Sequence, residues 1–237
     1  MRPSEGIRLV ALLSALGVPA VSQSNPPNGP ALSLSNGPAA IVWRLEQTTQ
    51  VGGHATNVLG TPRVSDDATV QAVHFNGATD ALFVAVNPIE GAAQFTIEAL
   101  IKPDATGPAE QRFLHIQDGP GSRALLEIRL TEAGWALDTF LHSEANKSDR
   151  ALLDRTKLHP ANRWTWVALV YANGHMEHYI DGVKELEGDV AFLPMGAGQI
   201  SLGVRQNQVY WFKGAIGEVR FHPVALAPAE LQRAGSR

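Results

Sequence analysis

The chain has 237 residues, no cysteine and a formal net charge of −4 at neutral pH. This length suits one all-β domain with a core large enough to need no covalent staples. The missing cysteines exclude disulfides, thiolate metal sites and cysteine catalysis. The missing basic run argues against nucleic acid, because phosphate binding needs grouped Lys and Arg.

In chain order, the first element is a targeting segment. Arg2 and Arg8 flank a charged start, an apolar run follows from Leu9 to Ala20, and Val18-Pro19-Ala20 offers small residues for cleavage. The run is shorter than the ~20 residues a bilayer span needs. Residues 1–20 therefore read as a secretory signal, which predicts a secreted or periplasmic protein and no membrane insertion after its removal. Residues 21–38 are rich in Ser, Asn, Pro and Gly and read as a flexible linker.

Residues 39–234 carry the folded domain. Short apolar stretches alternate with turn signals such as Asn76-Gly77, Asn173-Gly174 and Asp181-Gly182. The pattern predicts strands at 40–46, 70–75, 81–86, 94–102, 111–117, 123–130, 134–142, 163–171, 175–181, 199–204 and 214–222, with no helices long enough for βαβ units. In the segment beginning at Phe95, alternation puts Phe95, Ile97, Ala99 and Ile101 on one face, between two sheets. Only 228–234 reads as helical, with Pro228 in its first turn. The expected architecture is an all-β, two-sheet antiparallel sandwich.

Four blocks give this pattern a family resemblance. They are Val73-His74-Phe75-Asn76-Gly77 with Asp80; Phe95 to Ala99, ending at Lys102-Pro103; Arg163-Trp164-Thr165-Trp166 with the hairpin at Asp181-Gly182; and Phe212 to Arg220 followed by Leu226 and Leu231. In this order they resemble the LamG-like (laminin G type 3-like) jelly-roll domains of the concanavalin A-like lectin/glucanase superfamily. The resemblance implies a jelly roll hosting sugar binders, protein binders and some enzymes, so fold alone does not choose among them. It also implies a structural calcium at Asp80. The last block, however, has Gly217 where family members commonly carry an aspartate.

The residues suggest a sugar site. Gln206-Asn207-Gln208-Val209-Tyr210-Trp211 puts two adjacent aromatics beside three amides just before the last long strand, and pyranose recognition uses aromatic faces with polar groups fixing the hydroxyls. Trp166 is a further stacking candidate, at a position where the resemblance implies a residue on the solvent side of its strand. The leading expectation is an exported module binding a polysaccharide or glycan. The alternatives are a polysaccharide hydrolase or lyase, and a protein-interaction module with an apolar patch around Trp166. The Glu-x-Asp-x-x-Glu arrangement of the superfamily's glucanases is absent, and no catalytic residue is assigned. Glu127 and Arg129 read as an ion pair on one strand face. Glu185 and Glu187, at i, i+2 spacing, read as sharing a strand face, whereas His175 and His178 point to opposite faces.

Overall fold

The computed structural model describes residues 39–67 and 70–235, besides Met1. The expected signal and linker lie outside the described residues. Among those described there are sixteen strands and no helix. The first sheet has the order β14 (Val183–Asp189), β13 (His175–Ile180), β12 (Thr165–Ala172), β7 (Phe95–Pro103), β16 (Lys213–His222), β5 (Val70–Asn76), β4 (Arg63–Asp67), with β1 (Ile41–Arg44) also on β16. The second has the order β11 (Ser148–Leu153), β10 (Gly134–Ser143), β9 (Arg123–Thr131), β8 (Glu110–Asp118), β15 (Gly198–Leu202), β6 (Ala81–Val84), β3 (His54–Leu59), β2 (Gln50–Val51).

Alternation builds the core as the sequence predicts. Phe95, Ile97, Ala99 and Ile101 from the first sheet meet Ala124, Leu126, Ile128 and Leu137 from the second in one apolar cluster. Each strand therefore has a second face pointing away from the core. All eleven predicted strands form. Five more (β2, β3, β4, β11 and β14) were not anticipated, and each is largely exposed or polar, so periodicity there is weak. The two-residue turns at Asn173-Gly174 and Asp181-Gly182 have positive φ at both positions, as tight hairpins require.

β16 organises the first sheet. One edge pairs with β7; the other is shared, with β5 opposite Lys213 to Ile216 and β1 opposite Glu218 to Phe221. Gly217 sits at the bulge between these halves and accepts a hydrogen bond from the Leu45 amide at 2.9 Å. A Cβ there would lie 2.6 Å from Val70 Cγ1. The position thus serves close packing, which explains a glycine where the resemblance leads one to expect aspartate.

Residues 223–235 cross the outer face of the first sheet. The Thr96 hydroxyl donates to the Val224 carbonyl and accepts from the Leu226 amide; the Gln232 amide donates to Glu98 at 2.7 Å, and the Ala234 amide to Asp181 at 3.0 Å. Leu231 packs on Ala168, Val170 and Tyr179. The helix expected at 228–234 is replaced by turns. Its amides are spent on sheet carboxylates, so no i→i−4 ladder forms.

Candidate functional site

The outer face of the second sheet carries the most developed site. Strands β8, β9 and β10 lie side by side, and their outward residues form rows across the sheet. One row is Arg112, Glu127 and Asp138; a second starts with Glu110 and Arg129; a third is His115, Leu125 and Phe140; a fourth is Gln117, Arg123 and His142. A bulge between Arg112 and Leu114 keeps both halves of β8 contributing to this face.

The segment between β15 and β16 folds over the end of β8. The Gln206 amide donates to His115 Nδ1 at 3.0 Å, its side-chain amide donates to the His115 carbonyl, and the Arg112 amide donates to the Tyr210 carbonyl at 2.9 Å. Gln208 and Tyr210 both have φ near +60°, a conformation rare for bulky residues. The loop's bonds hold that strain, of order 1 kcal/mol per residue, and leave the Tyr210 ring 3.8 Å over the Arg112 guanidinium.

Beneath Tyr210 is a groove of about 280 Å³ lined by Arg112, Arg123, Arg129, Arg205, Glu127 and Asp138, with Phe140 in its floor. Arg112 reaches Glu127 at 2.9 Å; Arg129 reaches Glu127 at 3.0 Å and also pairs with Asp138. The expected Glu127–Arg129 pair is present, inside a larger network. Burial, then the neighbouring Glu127 charge, pushes the Asp138 carboxyl up to about 7. Burial, then the nearby arginines, pushes His115 down to about 3, so its ring is neutral. Arg112 Nε, Arg123 Nε, Arg129 Nε and Asp138 Oδ1 are buried and find no hydrogen-bond partner within the protein. Buried polar atoms left this way are costly, and their concentration in one groove points to a polar ligand.

The sequence-predicted residues separate into two places. Tyr210 lines the groove, Asn207 and Gln208 are exposed on the same loop, and Trp211 is half-buried beside them. Trp166 is not part of this group. It lies on the first sheet, 6% exposed, with the Arg220 guanidinium 5.2 Å from its ring centre. With Trp164 it lines a separate pocket closed by Arg233, Ala234 and Gly235 of the C-terminal segment. The apolar patch expected around Trp166 is therefore covered. Arg112, Arg123, Arg205 and Asp138 were missed. One usable signal was the alternation Arg123-x-Leu125-x-Glu127-x-Arg129, which puts three charges on one face of a strand.

Two other expectations meet different geometry. Asp80 is buried and accepts from the Thr61 amide at 2.9 Å, the Asn76 amide at 3.1 Å and the Thr79 hydroxyl. The pocket beside it offers Arg63 and His74 but no second carboxylate. This donor set does not fit calcium, which takes six to eight oxygens; Asp80 ties a turn. Glu185 and Glu187 do not share a face. A bulge opposite His178 and Tyr179 turns Glu185 to His159, at 3.0 Å, while Glu187 stays with Glu177 and Lys184. His178 does point inward, with its Nδ1 3.1 Å from the Thr139 hydroxyl, and His175 outward.

Solved structures with this fold include two toxin binding domains. The botulinum neurotoxin serotype D binding domain superposes with a TM-score of 0.60 at 14% identity, over 81% of this chain and 50% of that one. The serotype D ligand-binding domain, solved with N-acetylneuraminic acid, gives 0.60 at 13% identity, over 80% and 48%. The chain thus spans about half the length of these toxin domains. Domain 4 of an extracellular arabinanase from Geobacillus stearothermophilus, in complex with arabinotriose, gives 0.53 at 22% identity, over 84% and 88%. No curated protein matches the sequence. The model of the laminin G type 3 family, described as the concanavalin A-like lectin/glucanases superfamily, matches residues 76–232. With its two antiparallel sheets and that match over more than half its length, the chain belongs to the laminin G type 3 family of the concanavalin A-like lectin/glucanases superfamily.

Proposed function

We propose that this domain is an exported carbohydrate-binding module whose ligand lies across the outer face of the second sheet. The observation that carries the reading is the groove under Tyr210, where an aromatic ring is held out at strained φ above several unsatisfied polar groups. That combination suits a sugar ring, which presents an apolar face and a rim of hydroxyls. The N-acetylneuraminic acid and arabinotriose complexes of two fold neighbours support a glycan as the ligand class. The charged start and apolar run of residues 1–20 support export. The test is retention of the purified chain on a panel of polysaccharides, with Tyr210→Ala as the site variant. Retention that survives Tyr210→Ala places the site elsewhere, and no retention on any glycan removes the reading.

A second reading, a polysaccharide hydrolase or lyase, is favoured by one observation: Glu127 and Asp138 converge in the groove with Tyr210 and Arg112 close by. The two carboxyls stand on directly opposed residues and share the Arg129 guanidinium. Glycoside cleavage needs carboxyls roughly 5–9 Å apart on either side of the bond, so the pair suits binding better. Release of reducing ends from a bound glycan, abolished in Glu127→Gln, would reverse that ranking.

A further inference from the structure

The groove's charge departs from that of the chain. Counting Glu110 at the edge, four arginines, Arg112, Arg123, Arg129 and Arg205, line the groove with three carboxyls, Glu110, Glu127 and Asp138, in a protein whose net charge is −4; the exposed Asp149 also acts on Arg123. The balance is uneven within the groove as well. Arg112 and Arg129 are bound into the carboxylate network. Among the described residues, Arg123 and Arg205 form no ion pair, and they lie near enough for Arg205 to lower the Arg123 pKa, after burial.

Two like charges held together, with the exposed Asp149 as the acid acting on Arg123, raise the energy of the folded chain. The fold nonetheless keeps both in place. Arg123 starts β9, with its guanidinium 5.8 Å from the centre of the Phe140 ring, and Arg205 belongs to the loop tied down through Gln206. Guanidinium groups present planar forks of donors that match carboxylate and sulfate oxygens.

Building on the glycan-binding reading above, we propose that the groove selects an anionic glycan, with Arg123 and Arg205 receiving a carboxylate or sulfate group of the sugar while Tyr210 covers the ring. The network of Arg112, Glu127, Arg129 and Asp138 lines the rest of the groove, where the hydroxyls would lie.

The experiment compares binding of the full chain to polygalacturonate, chondroitin sulfate, a neutral arabinan and a single-stranded oligonucleotide, at low and moderate salt. The expected result is binding to one or both acidic glycans, at least tenfold tighter than to arabinan and weakened by salt. Polygalacturonate carries carboxylates alone and chondroitin sulfate carries both groups, so binding to both assigns carboxylate and binding to chondroitin sulfate alone assigns sulfate. Arg205→Gln is expected to lower that affinity at least tenfold with an equal or higher melting temperature, because its side chain makes no ion pair and its charge opposes that of Arg123; Lys157→Gln, an exposed charge elsewhere, is expected to leave the affinity unchanged. Arg123→Gln is a second variant with the same expectation. Arabinan binding that is indifferent to both arginine substitutions overturns the anionic preference and leaves the glycan reading standing. Acidic-glycan binding that is equally indifferent overturns the assignment of the two arginines. Equal binding to the oligonucleotide shows that charge alone is recognised and overturns the glycan selectivity. No binding to any glycan overturns both readings.

Discussion

Asp138 and Glu127 stand directly opposite one another on β10 and β9 and share the guanidinium of Arg129. Two carboxyls this close do not ionise independently, so the pair titrates as a unit. With the Asp138 carboxyl pushed up to about 7, the groove gains a negative charge as the pH rises through neutrality. The other charges facing the pair are Arg112 and Glu110 on β8, Arg123 and Arg129 on β9 and Arg205 in the loop. Affinity for an acidic glycan is therefore expected to fall about threefold to tenfold from pH 6 to pH 8, as one added charge at this range implies. Asp138→Asn is expected to flatten that profile. Titration calorimetry at several pH values measures both, and a profile that stays steep in the variant assigns the effect to another group.

Tyr210 is held out by its loop, not by packing. Gln206→Ala removes the side-chain hydrogen bonds to the His115 and Gln199 carbonyls. It is expected to weaken glycan binding about threefold to tenfold while shifting stability by about 1 kcal/mol, the net worth of a hydrogen bond or two. Equal affinity in Gln206→Ala and the parent would mean that the ring's position does not depend on this anchor.

Stability is expected to fall on acidification below pH 6.5. Burial pushes His178 down to about 4 and His115 down to about 3, whereas an unfolded histidine titrates near 6.5. Both folded-state pKa values are depressed, so the unfolded chain takes up protons first and stability is lost as the pH drops from 6.5 toward 4. Asp138 acts with the opposite sign, since its raised pKa makes the folded state the better proton binder over the same range. Two protons against one leave a net loss of roughly 1.4 kcal/mol per pH unit. Urea midpoints at pH 7, 5.5 and 4.5 test this; a flat or rising midpoint toward acid contradicts buried neutral histidines.

Gly217→Asp would restore the residue that the family resemblance leads one to expect. A side chain there meets Val70 Cγ1 at 2.6 Å, so the substitution is expected to destabilise by about 1–3 kcal/mol through overpacking. Melting temperatures with and without calcium provide the readout. A calcium-dependent gain in the variant would show that Asp80 can be recruited as a ligand after all.

Most of the fold was legible in sequence because its long strands are half apolar and bounded by Gly-containing turns. Phe95 to Ile101 is the clearest case. The polar strands at Ser148–Leu153 and Val183–Asp189 were not legible, since their burial is too irregular to leave a period. The site was legible only in part. Tyr210 and its neighbours stood out as an aromatic–amide cluster, but the arginines come from β8, β9 and a loop far apart in sequence. Only strand register brings them together. Trp166 was expected on the solvent side because the family resemblance put it there, and nothing local showed that residues 233–235 would lie over it.

The divided edge of β16 also constrains when the molecule can become itself. The strand at Lys213–His222 is the shared neighbour of β7, β5 and β1. All three emerge from the ribosome well before it, and their ladders stay open until it arrives. The domain therefore has no self-sufficient N-terminal half. It closes only once this strand has been made, and until then the growing chain exposes unpaired strand edges that other chains or chaperones are able to meet.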